Sequence, residues 1–394
     1  MYTQQDVLDF IQEEDVKFIR LAFFDLSGRQ KNVSIMPGQL DRAFRDGISF
    51  DASSVEGFQT ADKSDLFLHP DPSTLTIIPW RPSTGKVVRM FCDIQYPDGR
   101  PYEKDSRHIL KSAVALARKE GYEFRVGTEM EFYLFKLDAD GNPTRQPFDN
   151  AGYMDIAPDD KGENIRREIC FTLEQMGITP EASHHEEGPG QNEIDFHYAD
   201  ALTTADNTST FKWIVRTKAV SSGLYADFSP KPLEGRPGNG MHINLSVKGS
   251  GGEDDKELLR HSLAGILAHV AEMTFYLNPE EDSYRRLGSA KAPRYVCWGK
   301  ENRSQLVRIP ASKEGLRLEL RSPDTMANPY LAYALVIHAA LDGIKNRMVP
   351  PPATDEDLFN VPESVTAKLE RLPRSLEEAR ARAGTEFVRK ALGA

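Results

Sequence analysis

Residues 184–195 read HHEEGPGQNEID, a stretch that crowds two imidazoles and several carboxylates around a Gly-Pro-Gly bend. Like-charged carboxylates that lie close together repel one another, and one of them is driven towards protonation unless a cation joins the group. An ordinary surface loop needs far fewer polar groups. A divalent metal ion is therefore the simplest reason for such a segment, and the rest of the chain must supply its other ligands.

Size and composition restrict the class of protein. At 394 residues the chain is long enough for two domains, and 39% hydrophobic with 28% charged residues is typical of a globular protein in water. No apolar run approaches the roughly 20 residues that span a bilayer, and the first residues lack a secretory pattern. The net charge of −11 disfavours nucleic acid as a partner. Three widely separated cysteines fit a reducing cytoplasm, so we expect a cytoplasmic protein without a membrane partner.

The pattern of apolar residues changes along the chain and predicts an α+β fold. A helix over 3–14, a strand over 16–24 and strand-like runs over 75–79 and 87–94 predict a small β-rich domain. The turn at 96–101 is the best candidate boundary. Beyond it, apolar periodicity predicts long helices near 106–120, 162–177, 204–222, 256–277 and 327–347. Three prolines at 350–352 end the last of these, and a charged, helical tail follows.

Two further segments place polar groups on one face of a strand. Glu129 and Glu131 are two residues apart in a strand-like run, so their carboxylates point the same way. His242, Asn244 and Ser246 repeat that arrangement, with apolar residues between them. Each segment alone also fits a half-exposed strand with solvated polar groups. Together with the stretch at 184–195, they favour a metal site.

The clearest alternation is Leu316-Arg317-Leu318-Glu319-Leu320-Arg321, in which Arg317, Glu319 and Arg321 share a face and three leucines anchor the other. A cross-strand ladder of salt bridges is one interpretation. The other is an anion site, because guanidinium groups bind phosphate and carboxylate with two hydrogen bonds. The chain has no Gly-rich phosphate loop of the Walker type, so arginines and metal ions would have to hold a nucleotide. Oxygen ligands with one or two histidines suit Mg²⁺ or Mn²⁺ better than Zn²⁺.

Taken in order, these segments resemble the glutamine synthetase family over nearly the whole chain. The similar segments are residues 50–58, 127–132, 184–196, 239–242, 302–310 and 321–331. The resemblance implies a β-grasp domain at 1–98 and a catalytic domain at 99–394, whose antiparallel sheet forms a funnel. It also implies ATP-dependent amide formation on glutamate through γ-glutamyl phosphate, with ammonia as the nitrogen donor. Active sites would be shared between subunits of a homo-oligomeric ring, a hexamer or a dodecamer.

The resemblance also assigns roles to individual residues. One metal ion would be held by Glu131, Glu186 and Glu193, and a second by Glu129, His242 and Glu319; the ions would be Mg²⁺ or Mn²⁺, two to three per site. The residues implied to bind ATP are Glu181, Asn244, Ser246, Arg308 and Arg317. Those implied to bind glutamate are Gly238, Arg286, Arg321 and Tyr153. Those implied in catalysis are Asp51, which would deprotonate ammonium, Arg303, which with Arg308 would steady the transferred phosphoryl group, and the flap residue Lys291.

Several positions depart from the family's pattern. Lys291 stands where the family's flap carries a glutamate that helps to take the ammonium proton, and Pro237 stands where the family has an asparagine that contacts glutamate. The segment 248–252 is short, and the chain ends where bacterial relatives continue into a segment that clasps two rings. Three hypotheses therefore stay open: glutamine synthesis, γ-glutamyl ligation to an organic primary amine, which a changed flap would favour, and a non-catalytic binding or regulatory protein.

Overall fold

The computed structural model describes residues 2–81, 83–313 and 315–393. By its internal contacts, the chain divides into two compact units. The first comprises residues 1–111 with 172–178, and the second comprises 112–171 with 179–394. The boundary expected between residues 98 and 99 stays a prediction.

The first unit is built on a six-stranded sheet. Its helices and strands are α1 (Gln4–Glu13), β1 (Val16–Phe24), β2 (Gln30–Ile35), α2 (Leu40–Asp46), β3 (Ile48–Asp51), β4 (Asp65–Pro70), β5 (Thr76–Ile77) and β6 (Lys86–Gln95). The strand order is β2-β1-β6-β4-β3, and β5 pairs with β6. Only the β1–β6 pair among these strands is parallel. The core lies between this sheet and the two helices, where Val7, Leu21 and Val88 are fully buried.

The sequence explains where α1 begins. The hydroxyl of Thr3 accepts a hydrogen bond from the backbone N–H of Asp6, and the Asp6 carboxylate accepts one from the N–H of Thr3. This reciprocal arrangement satisfies two backbone N–H groups at the start of the helix. The predicted helix over 3–14 and the predicted strand over 16–24 are confirmed. The run predicted over 75–79 is a strand only at Thr76–Ile77.

A buried acid in the first unit, Asp105, makes the stability of the protein depend on pH. Its carboxylate accepts hydrogen bonds from the backbone N–H groups of Ile94 at 2.9 Å and Arg107 at 3.0 Å. Burial raises the pKa of Asp105 to about 6. Between about pH 4 and pH 6 the folded chain therefore holds a proton that the unfolded chain releases, so this group's contribution to stability falls as the pH rises.

We expect the free energy of unfolding of the variant Asp105→Asn, relative to that of the wild type, to increase as the pH is raised from 4 to 7.5. The relative gain in free energy of unfolding should be up to about 3 kcal/mol, because one pKa unit corresponds to about 1.4 kcal/mol. Urea unfolding at several pH values measures it, with Asp41→Asn on the exposed side of α2 as the control. A stability difference that does not change with pH would contradict this account of Asp105.

The second unit is built on a ten-stranded sheet flanked by helices. The remaining elements in chain order are α3 (Ser106–Lys119), β7 (Tyr122–Leu137), β8 (Pro143–Pro147), α4 (Glu163–Gln175), β9 (Pro180–His185), β10 (Gln191–Phe196), β11 (Ala199–Asp200), α5 (Ala201–Ser221), β12 (Leu224–Asp227), β13 (Met241–Gly249), α6 (Asp255–Leu277), α7 (Glu281–Arg286), β14 (Trp298–Lys300), β15 (Val307–Ile309), β16 (Leu318–Leu320), α8 (Pro329–Lys345), α9 (Glu363–Thr366), α10 (Leu376–Arg382) and α11 (Glu386–Leu392). The main strand order is β14-β15-β16-β13-β7-β10-β9. Strands β8, β11 and β12 also pair with β7, which makes β7 the organising strand.

Helices α6 and α8 pack closely against each other because each carries a glycine at the crossing. A Cβ on Gly265 would lie 2.0 Å from the carbonyl oxygen of Ala339, and one on Gly343 would lie 2.1 Å from that of His261. No helix within the described ranges is long and apolar enough to cross a membrane.

One sequence expectation for this unit needs correction. The strand expected at 316–321 spans only Leu318–Leu320, and Leu316 is 44% exposed, so it does not anchor the buried face with the other two leucines. The helical tail expected after the prolines is confirmed, and it consists of the three short helices α9 to α11. The long helices near 106–120, 162–177, 204–222, 256–277 and 327–347 are confirmed to within a few residues.

Candidate active site

The register of three neighbouring strands brings the predicted acids together. On β7 and β10, Glu131 lies opposite Glu193, and Glu129 lies opposite Asp195. On the other side of β7, His242 of β13 lies opposite Glu129. Because side chains two residues apart on a strand share a face, all five side chains emerge on the same face of the sheet. Alternation along each strand could be predicted from sequence, whereas this register could not.

The first acid–imidazole cluster consists of Glu129, His242 and Glu319, each of which offers a ligand atom within 4.8 Å of the others. His242 Nδ1 lies 3.1 Å from Glu129 Oε2 and 3.7 Å from Glu319 Oε1. His242 and Glu319 are buried, and Glu129 is partly exposed. This is the set that the family resemblance assigns to one metal ion.

Positive charge surrounds this first cluster. Burial by itself would raise the pKa of Glu129, but its hydrogen bond with His242 and the charge of that residue outweigh burial and lower the pKa to about 2. Glu319, which is fully buried, forms ion pairs with both Arg308 and Arg321. Glu129 is therefore kept ionised, which is the state that binds a metal ion.

The second acid–imidazole cluster consists of His184, Glu186 and Glu193, again with ligand atoms within 4.8 Å. His184 Nε2 lies 3.0 Å from Glu186 Oε1 and 3.8 Å from Glu193 Oε1. The family resemblance names Glu131 as the third ligand, and its Oε2 instead accepts a hydrogen bond from the backbone N–H of Gly240 at 2.6 Å. His184 was not among the predicted site residues. Its position two residues before Glu186 is the signal that could have identified it.

Two acids on β10, Glu193 and Asp195, are crowded by neighbouring carboxylates. Burial, followed by repulsion from Glu129, raises the pKa of Asp195 to about 8, and burial together with repulsion from Asp195 raises that of Glu193 well above its usual range. Among the described atoms, Asp195 Oδ1 is buried and has no hydrogen-bond partner. Crowded carboxylates with an unsatisfied oxygen and one imidazole in each cluster fit Mg²⁺ or Mn²⁺. Asp195 was also missed as a site residue, although it closes the stretch at 184–195.

A cavity of about 620 Å³ lies beside these clusters. Four of the residues predicted to bind ATP line it, namely Glu181, Asn244, Ser246 and Arg317. Asn244 Nδ2 donates to Glu129 Oε1 at 3.0 Å, and Arg317 Nε donates to Asn244 Oδ1 at 3.0 Å. The fifth, Arg308, contacts Glu319 instead. The lining also includes Arg125, Tyr198 and Asp195, none of which was predicted.

The residues predicted to bind glutamate occupy several parts of the second unit. The buried Arg286 donates from Nη1 to the carbonyl oxygen of Ser322 at 2.7 Å, and burial lowers the pKa of its guanidinium. Arg321 Nε donates to the carbonyl oxygen of Arg303 at 3.1 Å. Gly238 cannot be a larger residue, because a Cβ there would lie 2.1 Å from a carbonyl oxygen. Tyr153 is half-exposed and packs edge-on against His184, with ring centroids 5.4 Å apart.

The three predicted catalytic residues have different surroundings. Arg303 is exposed. Lys291 has a positive φ of 65°, and its Nζ lies 3.1 Å from Glu187 Oε1. Asp51 belongs to the first unit, where its carboxylate accepts hydrogen bonds from the hydroxyls of Ser53 and Ser54 at 2.6 and 2.7 Å. Both hydrogen bonds lower the pKa of Asp51, and the one from Ser53 has the larger effect.

Fold and site together define an enzyme of the ligase class, as comparison with known proteins shows. Residues 15–97 match the family model described as "Glutamine synthetase, beta-Grasp domain", and residues 103–394 match "Glutamine synthetase, catalytic domain". The chain therefore belongs to the glutamine synthetase family. This finding confirms the predicted family, the predicted fold class and the prediction of a carbon–nitrogen ligase.

Individual relatives agree over almost the full length. A protein of Methanosarcina mazei named "Glutamine synthetase" is 45% identical, covering 99% of this chain and 91% of the relative. One from Clostridium saccharobutylicum, with the same name, is 45% identical over 100% and 92% of the two chains. A solved structure described as "GmaS/ADP complex-Conformation 1" is 31% identical, with a TM-score of 0.89 over 99% of this chain and 92% of that one.

Proposed function

We propose that this enzyme forms a γ-glutamyl amide from glutamate and ATP, with ammonia as the nitrogen donor, and thus makes glutamine. The observation that carries the proposal is the pair of acid–imidazole clusters on one face of the sheet, next to a cavity of nucleotide size. Relatives named "Glutamine synthetase" at 43–45% identity support ammonia as the donor.

Two Mg²⁺ or Mn²⁺ ions fit the two clusters. Glu129, His242 and Glu319 would hold one, and Glu186, Glu193 and either Glu131 or His184 would hold the other. When bound, such ions offset the negative charge that gathers on phosphate oxygens during phosphoryl transfer. A bound cation would also favour the ionised form of Asp195, which lies opposite Glu129 and whose pKa is raised to about 8 by burial and by neighbouring carboxylates.

The remaining residues would bind and orient the two substrates. Glu181, Asn244, Ser246 and Arg317 line the cavity in which we place the nucleotide. The solved structure described as a GmaS/ADP complex supports nucleotide binding by this fold. Arg286 and Arg321 would contact the carboxylates of glutamate, with Gly238 and Tyr153 beside them. Arg303 and Arg308 would contact the transferred phosphoryl group.

The reaction would take two steps. A γ-carboxylate oxygen of glutamate attacks the γ-phosphorus of ATP, the bond to the bridging oxygen breaks, and ADP leaves with its electron pair. The nitrogen of ammonia then attacks the acyl carbon, and inorganic phosphate leaves. Ammonium must first lose a proton to become ammonia, and Asp51 of a neighbouring subunit in a ring is our candidate for the group that takes it. The attacking nitrogen loses a second proton as the amide forms, and this proton leaves with the inorganic phosphate.

A primary organic amine is the second candidate for the nitrogen donor, and a specific ion pair favours it. Lys291 contacts Glu187, the residue next to the ligand Glu186. The flap thus brings a positive charge where the family resemblance implies a negative one. A cation at that place repels ammonium and alkylammonium ions alike, but the alkyl part of a larger amine would gain contact with the aliphatic stem of the lysine.

A phosphate-release assay tests the proposal and separates the two donors. With Mg²⁺, ATP and glutamate, we expect phosphate release that requires ammonia or an amine, and kcat/KM for ammonia should exceed that for methylamine and for a polyamine. Omission of Mg²⁺ and addition of a chelator are the matched controls. Release with amines but not with ammonia would replace the first candidate by the second. No release with any donor would overturn both.

A further inference from the structure

A buried network of side chains lies under the bend at 186–191, outside the two acid–imidazole clusters. Its members, which we call the bend network, are Asp149, Asp160, Arg166, His185 and Asn192, and each is at most 8% exposed. Three of them, Asp149, Asp160 and His185, also have potential metal-ligand atoms within 4.8 Å of one another. The buried carboxylates of this group must be matched either by a metal ion or by another cation.

The cation in the bend network is a guanidinium. Arg166 binds both carboxylate oxygens of Asp160, at 3.2 and 2.5 Å, and donates to Asn192 Oδ1 at 2.6 Å. Gly162 N–H donates to Asp160 Oδ1 as well. Because Asp160 is already matched by a planar, two-pronged donor, this group is not a third metal site. We therefore look for the role of the bend network in its contacts with the bend at 186–191.

The bend network holds both ends of the bend. At its start, His185 Nδ1 lies 2.6 Å from the carbonyl oxygen of Glu186. At its end, Asp149 Oδ1 accepts the N–H of Gly190 at 2.9 Å, and Asn192 Nδ2 donates to the carbonyl oxygen of Gly190 at 2.9 Å. One acid links the two ends, because Asp149 Oδ1 also lies 2.9 Å from His185 Nε2.

Both ring nitrogens of His185 therefore face acceptors, a carboxylate on one side and a backbone carbonyl on the other. A ring held from both sides has a fixed orientation, and so does the peptide group of Glu186 that it contacts. We infer that Asp149 and His185 are positioning residues, which orient the Glu186 carboxylate for the metal ion through the backbone of the bend. The inference rests on the proposed metal site and concerns residues to which the proposed function gives no role.

Metal affinity measured without turnover tests this inference. Groups that orient metal ligands from behind typically change metal affinity tenfold to a hundredfold when they are altered. We expect Asp149→Asn, which keeps the shape of the side chain, to weaken Mn²⁺ binding at least about tenfold. The titration uses chelator-treated full-length protein without nucleotide, with free Mn²⁺ followed by its electron paramagnetic resonance signal. His185→Gln is a second variant in case the first does not fold.

The choice of affected site separates positioning from a loss of structure. Asp149→Asn should weaken Mn²⁺ binding at the same class of site as Glu186→Gln does. It should not change the Mn²⁺ affinity of the other class of site, the one that Glu129→Gln weakens. The matched control is His269→Gln, because His269 also lies 2.9 Å from a carboxylate, that of Asp342, but belongs to the packed helices. Its Mn²⁺ affinity should equal that of the wild type.

Two results would overturn the inference. One is unchanged Mn²⁺ affinity in a folded Asp149 or His185 variant whose melting temperature falls, which would make the network purely structural. The other is equal weakening of both classes of site. If the wild type binds no Mn²⁺ at all, the proposed metal site fails and the inference fails with it, so the two failures are distinguishable.

Discussion

Replacing Glu129 by glutamine is expected to lower phosphate release by at least about a thousandfold. That factor corresponds to about 4 kcal/mol of transition-state stabilisation, which is the scale on which a bound metal ion acts. Glu129 lies opposite His242 across the strands, lines the cavity and keeps its charge because its pKa is lowered to about 2. Glutamine has nearly the same shape and can still accept from Asn244, so the substitution removes chiefly the charge.

The control for this substitution is Glu123→Gln on the same strand. Glu123 is exposed and lies six residues earlier on β7, opposite Lys248 of β13. It should retain wild-type phosphate release. The stoichiometry of Mn²⁺ binding should fall by one ion in Glu129→Gln and stay unchanged in Glu123→Gln. Phosphate release by Glu129→Gln within tenfold of the wild type would show that this carboxylate is not a metal ligand in the reaction.

Replacing Lys291 by glutamate is expected to raise kcat/KM for ammonia on the order of tenfold. The substitution changes a positive charge near the incoming cation into a negative one. Two charges a few ångströms apart interact by about 1 to 4 kcal/mol between bulk water and a protein surface. Both side chains of the Lys291–Glu187 pair are partly exposed, which keeps the expected effect at the lower end.

A charge-swapped double variant separates the charge on the flap from the ion pair itself. Lys291→Glu alone places two carboxylates together, whereas Lys291→Glu with Glu187→Lys restores an ion pair with reversed sign. If the flap acid attracts ammonium, both variants have a higher kcat/KM for ammonia than the wild type. A return to the wild-type kcat/KM in the double variant would assign the effect to the broken pair instead. Lys300→Glu, on the exposed side of β14, is the matched control.

Much of the fold could be predicted from the sequence, because its signals are local. Periodicity identified the long helices, and alternation identified which side of β7 and β13 carries polar groups. The shortened strand at 318–320 was missed because Leu316 continues the alternation in sequence but is exposed in the structure. Alternation describes side chains along a strand and contains no information on where pairing with the neighbour ends.

The sequence alone could identify single candidate ligands by residue type, but not which of them lie together. Glu129, His242 and Glu319 are separated by more than 70 residues in sequence, and the family resemblance brought them together. His184 and Asp195 lie within the stretch first quoted. The position of His184 two residues before Glu186 was a local signal, whereas Asp195 has none that distinguishes it from a solvated flank. Asp149 is a further 35 residues upstream, and its hydrogen bonds to both ends of the bend depend on tertiary packing that one sequence does not contain.

Strand β7 restricts which kinds of mutation this protein can tolerate. Its sixteen residues pair with β13 over nine positions and with β10 over five, and the same strand supplies both Glu129 and Glu131. A single residue deleted from β7 just before Glu129 would turn both acids towards the core and would bring buried Met130 onto the polar face. A substitution on β7 therefore alters one side chain, whereas a change in its length alters the facing of many.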